Sequence, residues 1–161
     1  MSPTPPMTTP TTTSKVFVYG SLRSTEVLHA LLQRTPICAK GSLASPAYKR
    51  VCVRDAPYPA VIRSSATTTS GGIVDGLLLR DITPNELELF DAFEDEYERI
   101  QVDVQIATTS TTETAFMYLW NQPTSELVDT PWDFEAFTSD ANLLTNYVNN
   151  SRLFREDYEL Q

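Results

Sequence analysis

The chain has 161 residues, with 12 Lys plus Arg against 21 Asp plus Glu, one histidine and two cysteines. That length suits one domain with a buried core. A net charge of −9 argues against nucleic acid as a partner, because phosphate contacts need clustered Lys and Arg. No apolar run approaches the roughly 18 residues of a membrane span, so no membrane partner is expected. The single histidine, His29, leaves no His-based zinc triad, and neither a metal nor a cofactor is expected. Cys38 and Cys52 are too few for a disulfide framework and read as reduced thiols of a cytoplasmic protein.

The charge is unevenly spread. Residues 1–80 carry 9 basic and 3 acidic side chains, and residues 81–161 carry 3 and 18. If both halves share one domain, much of this asymmetry becomes internal complementarity across one pocket. The surplus acid stays outside and keeps polyanions away.

Residues 1–14 hold four Pro, six Thr and no charged side chain. Such a segment buries too little apolar area to offset its ordering entropy, so it reads as a disordered tail. It carries neither a secretory nor a transit-peptide pattern. The folded domain is expected over 15–161.

Lys15–Tyr19 is a β-rich run stopped by Gly20. Thr25–Arg34 follows as a helix with Val27, Leu28, Leu31 and Leu32 on one face, ended by Pro36. Short strands are expected at Ile37–Ala44, Tyr48–Arg54, Ala60–Ser64 and Gly72–Arg80, divided by prolines and a polar stretch at 64–70. Thr83-Pro84-Asn85-Glu86 is a capping box that opens a helix running to about Asp95. Arg99–Ile106 alternates strictly and pairs as a hairpin with Ala115–Trp120. After a loop at 121–131, Phe134, Phe137, Ala141, Leu144 and Val148 share one face of a C-terminal helix. Many short strands with three helices indicate an α+β fold, a small mixed β-barrel with flanking helices.

One acidic residue is out of place. On the second helix, with Leu87 at 0°, residues Leu89, Phe93, Phe90 and Glu94 fall at about 200°, 240°, 300° and 340°. Glu94 therefore lies inside the apolar arc, whereas Glu88, Asp91 and Asp95 lie off it. A carboxylate there is costly unless paired or functional. Desolvation would raise its pKa toward the range a general acid/base needs. Two blander readings stand beside this one. Arg99 could reach back to pair with it, or the helix could fray before it.

The Tyr19-Gly20-Ser21-Leu22 turn is the second candidate. A strand that stops at glycine and enters a helix can present backbone N–H groups to an anion, and Arg23 sits beside it. It is also an ordinary strand–helix connection. It is neither a phosphate-cradling lysine loop nor a dinucleotide fingerprint. His29 lies on the polar side of its helix. Cys38 and Cys52 read as small buried residues. Asp95 and Glu96 read as a solvated helix end. Tyr58, Tyr97, Tyr118, Trp120 and Trp132 are core residues by default.

Taken in order, VFVYGSLRSTEVLHALLQRTP, YPAVI at 58–62, FDAFEDEYERIQVDV at 90–104, YLWNQ and WDFEAF resemble the gamma-glutamylcyclotransferase-like superfamily. The branch they are most similar to is the avirulence-induced-gene-like one of plants and fungi. The resemblance spans roughly residues 15–140. It implies a compact β-barrel with a pocket between the YGSL loop and the helix that ends in FE. It implies Glu94 as general acid/base, and backbone groups of Tyr19, Gly20, Ser21 and Leu22 holding the ligand's carboxylate and amine. Arg23, Tyr58, Tyr97, Arg99 and Tyr118 complete the expected substrate-binding set. Phe90 stands where the family usually has Leu. The implied enzyme is a metal-independent acyltransferase or lyase. Its substrate would be a small γ-glutamyl compound, which it cyclises to 5-oxoproline by intramolecular aminolysis. Two alternatives remain at this stage: another proton transfer on a biosynthetic metabolite, and a defence-response protein that binds without turnover.

Overall fold

The computed structural model describes residues 12–63 and 73–159. Most of the expected tail, residues 1–11, and the polar stretch at 64–70 lie outside the described residues.

Among the described residues, eight strands and four helices follow in order. β1 is Ser14–Val18, followed by a 3-10 turn at Ser21–Arg23 and α1, Thr25–Leu32. β2 (Cys38–Leu43), β3 (Tyr48–Val53), β4 (Pro59–Arg63) and β5 (Asp75–Ile82) come next. α2 is Pro84–Phe93, and β6 (Tyr97–Ile106) pairs with β7 (Thr112–Trp120). β8 (Leu127–Val128), α3 (Phe134–Ser139) and α4 (Ala141–Glu159) complete the chain.

β1, β5, β2, β6 and β7 form a closed barrel in that order. Four of its pairings are antiparallel. The barrel closes where β1 meets β7 in parallel, with Val16 opposite Phe116. The expected mixed β-barrel with flanking helices is therefore present. Alternation along the strands sorts the side chains. Phe17, Leu78, Val102, Val104, Ile106 and Met117 fill one cluster, which is the barrel interior. Val16, Val18 and Leu79 face out and are covered by Val27, Leu28 and Leu31 of α1 and by Leu89 and Phe90 of α2. β1 is buried on both faces over Val16–Val18 because helices cover its outer side.

A second sheet, in the order β4-β3-β8, packs beside the barrel. Its Val61 joins the interior cluster and its Ala60 meets Trp120. Arg50 of β3 donates to the carbonyl of Tyr19 (2.9 Å) and to that of Asp75 (2.8 Å), tying this sheet to the end of β1.

Several expectations change. α1 ends at Gln33 in the left-handed region (φ 59°), before Pro36 is reached. The expected loop at 121–131 contains β8, which pairs with β3. The C-terminal helix is two helices, because Asp140 breaks the run and caps α4. Its Oδ1 accepts from the N–H of Leu143 (3.1 Å) and its carbonyl from Leu144 (2.9 Å). Ala141 consequently faces solvent. His29 is exposed, as expected. Cys38, expected to be buried, is exposed, and Cys52 is half-buried. Among the described residues no helix is long and apolar enough to cross a membrane.

Candidate active site

The capping box forms as read. Thr83 Oγ1 accepts from the Glu86 N–H (3.2 Å), and Glu86 Oε1 accepts from the Thr83 N–H (3.0 Å). This sets the start of α2. The burial of Leu89 and Phe90 sets its rotation against the barrel. The helix ends at Phe93, two residues short of expectation. Glu94 is its C-cap, and its N–H still donates to the carbonyl of Phe90 (2.8 Å). The angular position read from the helical pattern is thus retained although the helix stops there.

Glu94 borders a cavity of about 320 Å³, a size suited to a small molecule. The wall carries Tyr19, Gly20, Ser21 and Leu22 from the loop after β1, Tyr58 and Pro59 at the start of β4, and Tyr97 and Tyr118 from the hairpin. Eight of the ten expected site residues therefore meet at one place. Gly20 is demanded by a close approach: a Cβ there would stand 2.7 Å from Pro59 Cδ.

The other two expected site residues go elsewhere. Arg99 does not pair with Glu94. Its Nη1 donates to Asp91 Oδ2 at 2.9 Å, and its guanidinium lies 4.8 Å from the centre of the Phe116 ring. Arg99 lies opposite Tyr118 on the hairpin, and both side chains reach Asp91 of α2 instead of Glu94. Arg23 lies 4.5 Å over the Phe134 ring, with Asp75 3.9 Å away. Neither arginine lines the cavity. The charge asymmetry is accordingly not resolved across the pocket. Lys15, Arg34, Lys49 and Arg80 of the first half do pair with Glu113, Glu86 and Asp129 of the second, but around the outside of the fold.

The electrostatics single out Glu94. Among the described residues no hydrogen bond or ion pair reaches its carboxylate. Burial, and then the charges of Glu96 and Asp95, push its pKa up to about 8. The tyrosines around it respond in kind. Burial, with the nearby carboxylates, pushes Tyr58 up to about 12 and holds Tyr19, Tyr97 and Tyr118 well above the usual phenol range. These phenols stay protonated and are committed to partners. Tyr19 donates to the carbonyl of Tyr118 (2.6 Å), Tyr97 to that of Pro59 (2.8 Å) and Tyr118 to Asp91 Oδ1 (2.7 Å). Glu96, expected in a solvated helix end, lines the cavity and accepts from Tyr58 (2.9 Å).

Sequence reasoning missed one wall. Tyr147, Asn150 and Ser151 of α4 line the cavity. The signal was present: Tyr147 lies three residues beyond Leu144, and Ser151 three beyond Val148, on the helical face already identified.

A closed five-stranded mixed barrel with flanking helices is the gamma-glutamylcyclotransferase fold. The chain belongs to the family described as "Gamma-glutamyl cyclotransferase, AIG2-like", whose model matches residues 16–134. It is 31% identical to AIG2-like protein C of Arabidopsis thaliana over 90% of this chain and 80% of that protein. It is 35% identical to AIG2-like protein D of the same plant, over 78% of this chain and 80% of the relative. An Arabidopsis thaliana protein solved in solution superposes with a TM-score of 0.62 at 28% identity, covering 85% of this chain and 87% of its own. A structure named gamma-glutamyl cyclotransferase gives 0.58 at 16% identity, over 88% and 87%, which is a likeness of fold.

Proposed function

We propose that the protein is a γ-glutamylcyclotransferase that releases 5-oxoproline from a small γ-glutamyl compound. The observation that carries this reading is the Glu94 carboxyl, unpartnered among the described residues. It borders a small cavity with the Tyr19–Leu22 loop and has a pKa raised to about 8. A carboxyl whose pKa is raised this far can both accept a proton from an ammonium and return it near neutral pH.

The reaction needs few groups. Glu94 takes a proton from the substrate's α-ammonium. The freed amine attacks its own γ-carbonyl carbon, and the new N–C bond closes the five-membered lactam. The ring nitrogen sheds its second proton as the bond from that carbon to the leaving nitrogen breaks, and the leaving group takes up both protons, one of them from Glu94, and departs as an ammonium. Folding the chain so that nitrogen and carbon approach supplies much of the rate. Backbone N–H groups of the Gly20–Leu22 loop would hold the substrate carboxylate or steady the developing oxyanion.

The test is mass-spectrometric detection of 5-oxoproline from a panel of γ-glutamyl peptides and γ-glutamyl amines. Release from at least one member by the wild-type protein, and its loss in Glu94→Gln, is the expected result. Release at the wild-type rate by Glu94→Gln would overturn the role of Glu94.

A further inference from the structure

The cavity has a chemical direction. Its charged lining residues are Glu94, Asp95 and Glu96, and among the described residues no Lys or Arg lines it. An amino-acid head group carries an ammonium and a carboxylate. Coulomb attraction draws the ammonium toward the 94–96 turn and repels the carboxylate from it. The carboxylate then needs neutral donors, because an anion removed from water without hydrogen bonds is costly.

Tyr147 of α4 is placed to be one. Ser21 Oγ donates to the Tyr147 hydroxyl at 2.8 Å. The proton of Tyr147 itself is therefore left over, and among the described residues no protein acceptor takes it. The ring is clamped edge-on by Phe93 (centroids 6.4 Å apart) and Phe137 (5.5 Å). Its carbonyl accepts from Ser151 Oγ at 2.8 Å, one turn further along α4. Burial, and then the charge of Glu94, keeps the phenol protonated across the working pH range. The contact to Ser21 also ties α4 to the loop that borders the cavity.

We infer that Tyr147 is a substrate-contacting residue, whose hydroxyl donates to the ligand's carboxylate while its oxygen receives Ser21 and holds the loop. The inference rests on the γ-glutamyl reading above. It assigns a binding role to α4, which lies beyond residue 134, where the family match ends.

Tyr147→Phe removes the hydroxyl and keeps the ring. One hydrogen bond to a charged group lost from a site corresponds to a ten- to hundred-fold effect, roughly. The expected result is a rise of that size both in KM and in the Kd of 5-oxoproline, with kcat and the thermal midpoint near wild type. The double variant with Ser21→Ala should lose less than the product of the two single losses, because the two hydroxyls act as a unit. A purely structural tyrosine would instead lower the thermal midpoint and leave KM unmoved. Folded Tyr147→Phe with wild-type KM and wild-type Kd for 5-oxoproline overturns the inference and leaves the cyclotransferase reading standing. If Tyr147→Phe does not fold, Ser21→Ala reads the same contact, and an unchanged KM there overturns the inference equally. Wild-type protein that neither releases nor binds 5-oxoproline overturns both readings together.

Discussion

Glu94 owes its basicity to two causes that can be separated by substitution. Burial comes first, and the charges of Glu96 and Asp95 add to it. Glu94→Gln keeps the shape and removes the proton carrier. Turnover should fall about 10²-fold or more, the scale of general acid–base catalysis, with the fold intact by circular dichroism. In the wild type, kcat/KM should climb along an acid limb centred near the pKa of about 8, since the base must be ionised to accept a proton. Glu96→Gln removes one of the two charges that raise Glu94, so that limb should move to lower pH. Stability runs the other way. The folded value lies above the ordinary 4.5, so the folded state holds this proton more tightly than the unfolded chain does. That contribution is fully present below about pH 4.5 and is lost as pH rises through about 8. Glu94→Gln should therefore melt with the wild type at pH 4 and above it at pH 9. A pKa difference of even one unit is worth about 1.4 kcal/mol, so melting scans at the two pH values resolve it.

α2 is the element that carries this residue into place, and its two ends do different work. Thr83 and Glu86 set where it begins. Glu86 also accepts from Arg34 Nε (2.7 Å) and Nη2 (2.6 Å), which links the helix start to the segment after α1. Thr83→Ala should cost about 1 kcal/mol and lower the melting point by roughly 2–4 °C, with KM unchanged, because the cap lies a full helix away from the cavity. The C-terminal end has no such side-chain cap. It stops on Glu94, and the following residues turn straight into β6 with Glu96 facing the cavity. This is why a helix two residues shorter than the periodicity suggests still delivers the carboxylate to the site. α4 is the counterpart on the other side. It is held on α1 through Arg155 Nη1, which donates to the carbonyl of Leu31 (2.8 Å), and on α2 by the edge contact of Phe154 with Phe93 (5.2 Å).

At the scale of the whole molecule, closure of the barrel positions the loop and the hairpin that share the cavity. One close approach within that barrel falls at Gly76 of β5, opposite Gly41 in register. A Cβ on Gly76 would stand 2.2 Å from the carbonyl oxygen of Val18 and 2.9 Å from Phe17 Cζ. Backbone cannot yield there without parting β1 from β5. Gly76→Ala should therefore cost several kcal/mol, of the order seen for overpacking a core. Denaturant unfolding should show a large fall in midpoint, or soluble expression should fail. The surplus acid plays no part in this. Pairs such as Arg80 with Glu113 (2.6 Å) sit on the exterior, where each contributes little.

Local physics alone determined much of this protein. The alternation of Ile100, Val102, Val104 and Ile106, the capping box at Thr83, and the place of Glu94 inside an apolar arc are all properties of short stretches of chain. Backbone geometry turns each of them into structure wherever the segment lies. Pairings between distant segments are not of that kind. The parallel contact of β1 with β7, the diversion of Arg99 to Asp91, the exposure of Cys38 and the arrival of Tyr147 beside Ser21, 126 residues away, depend on which surfaces meet once the barrel has closed. The sequence by itself could nominate Glu94 as a carboxylate set on an apolar face. Only the tertiary structure decided that no arginine would neutralise it and that α4 would supply one wall of its cavity.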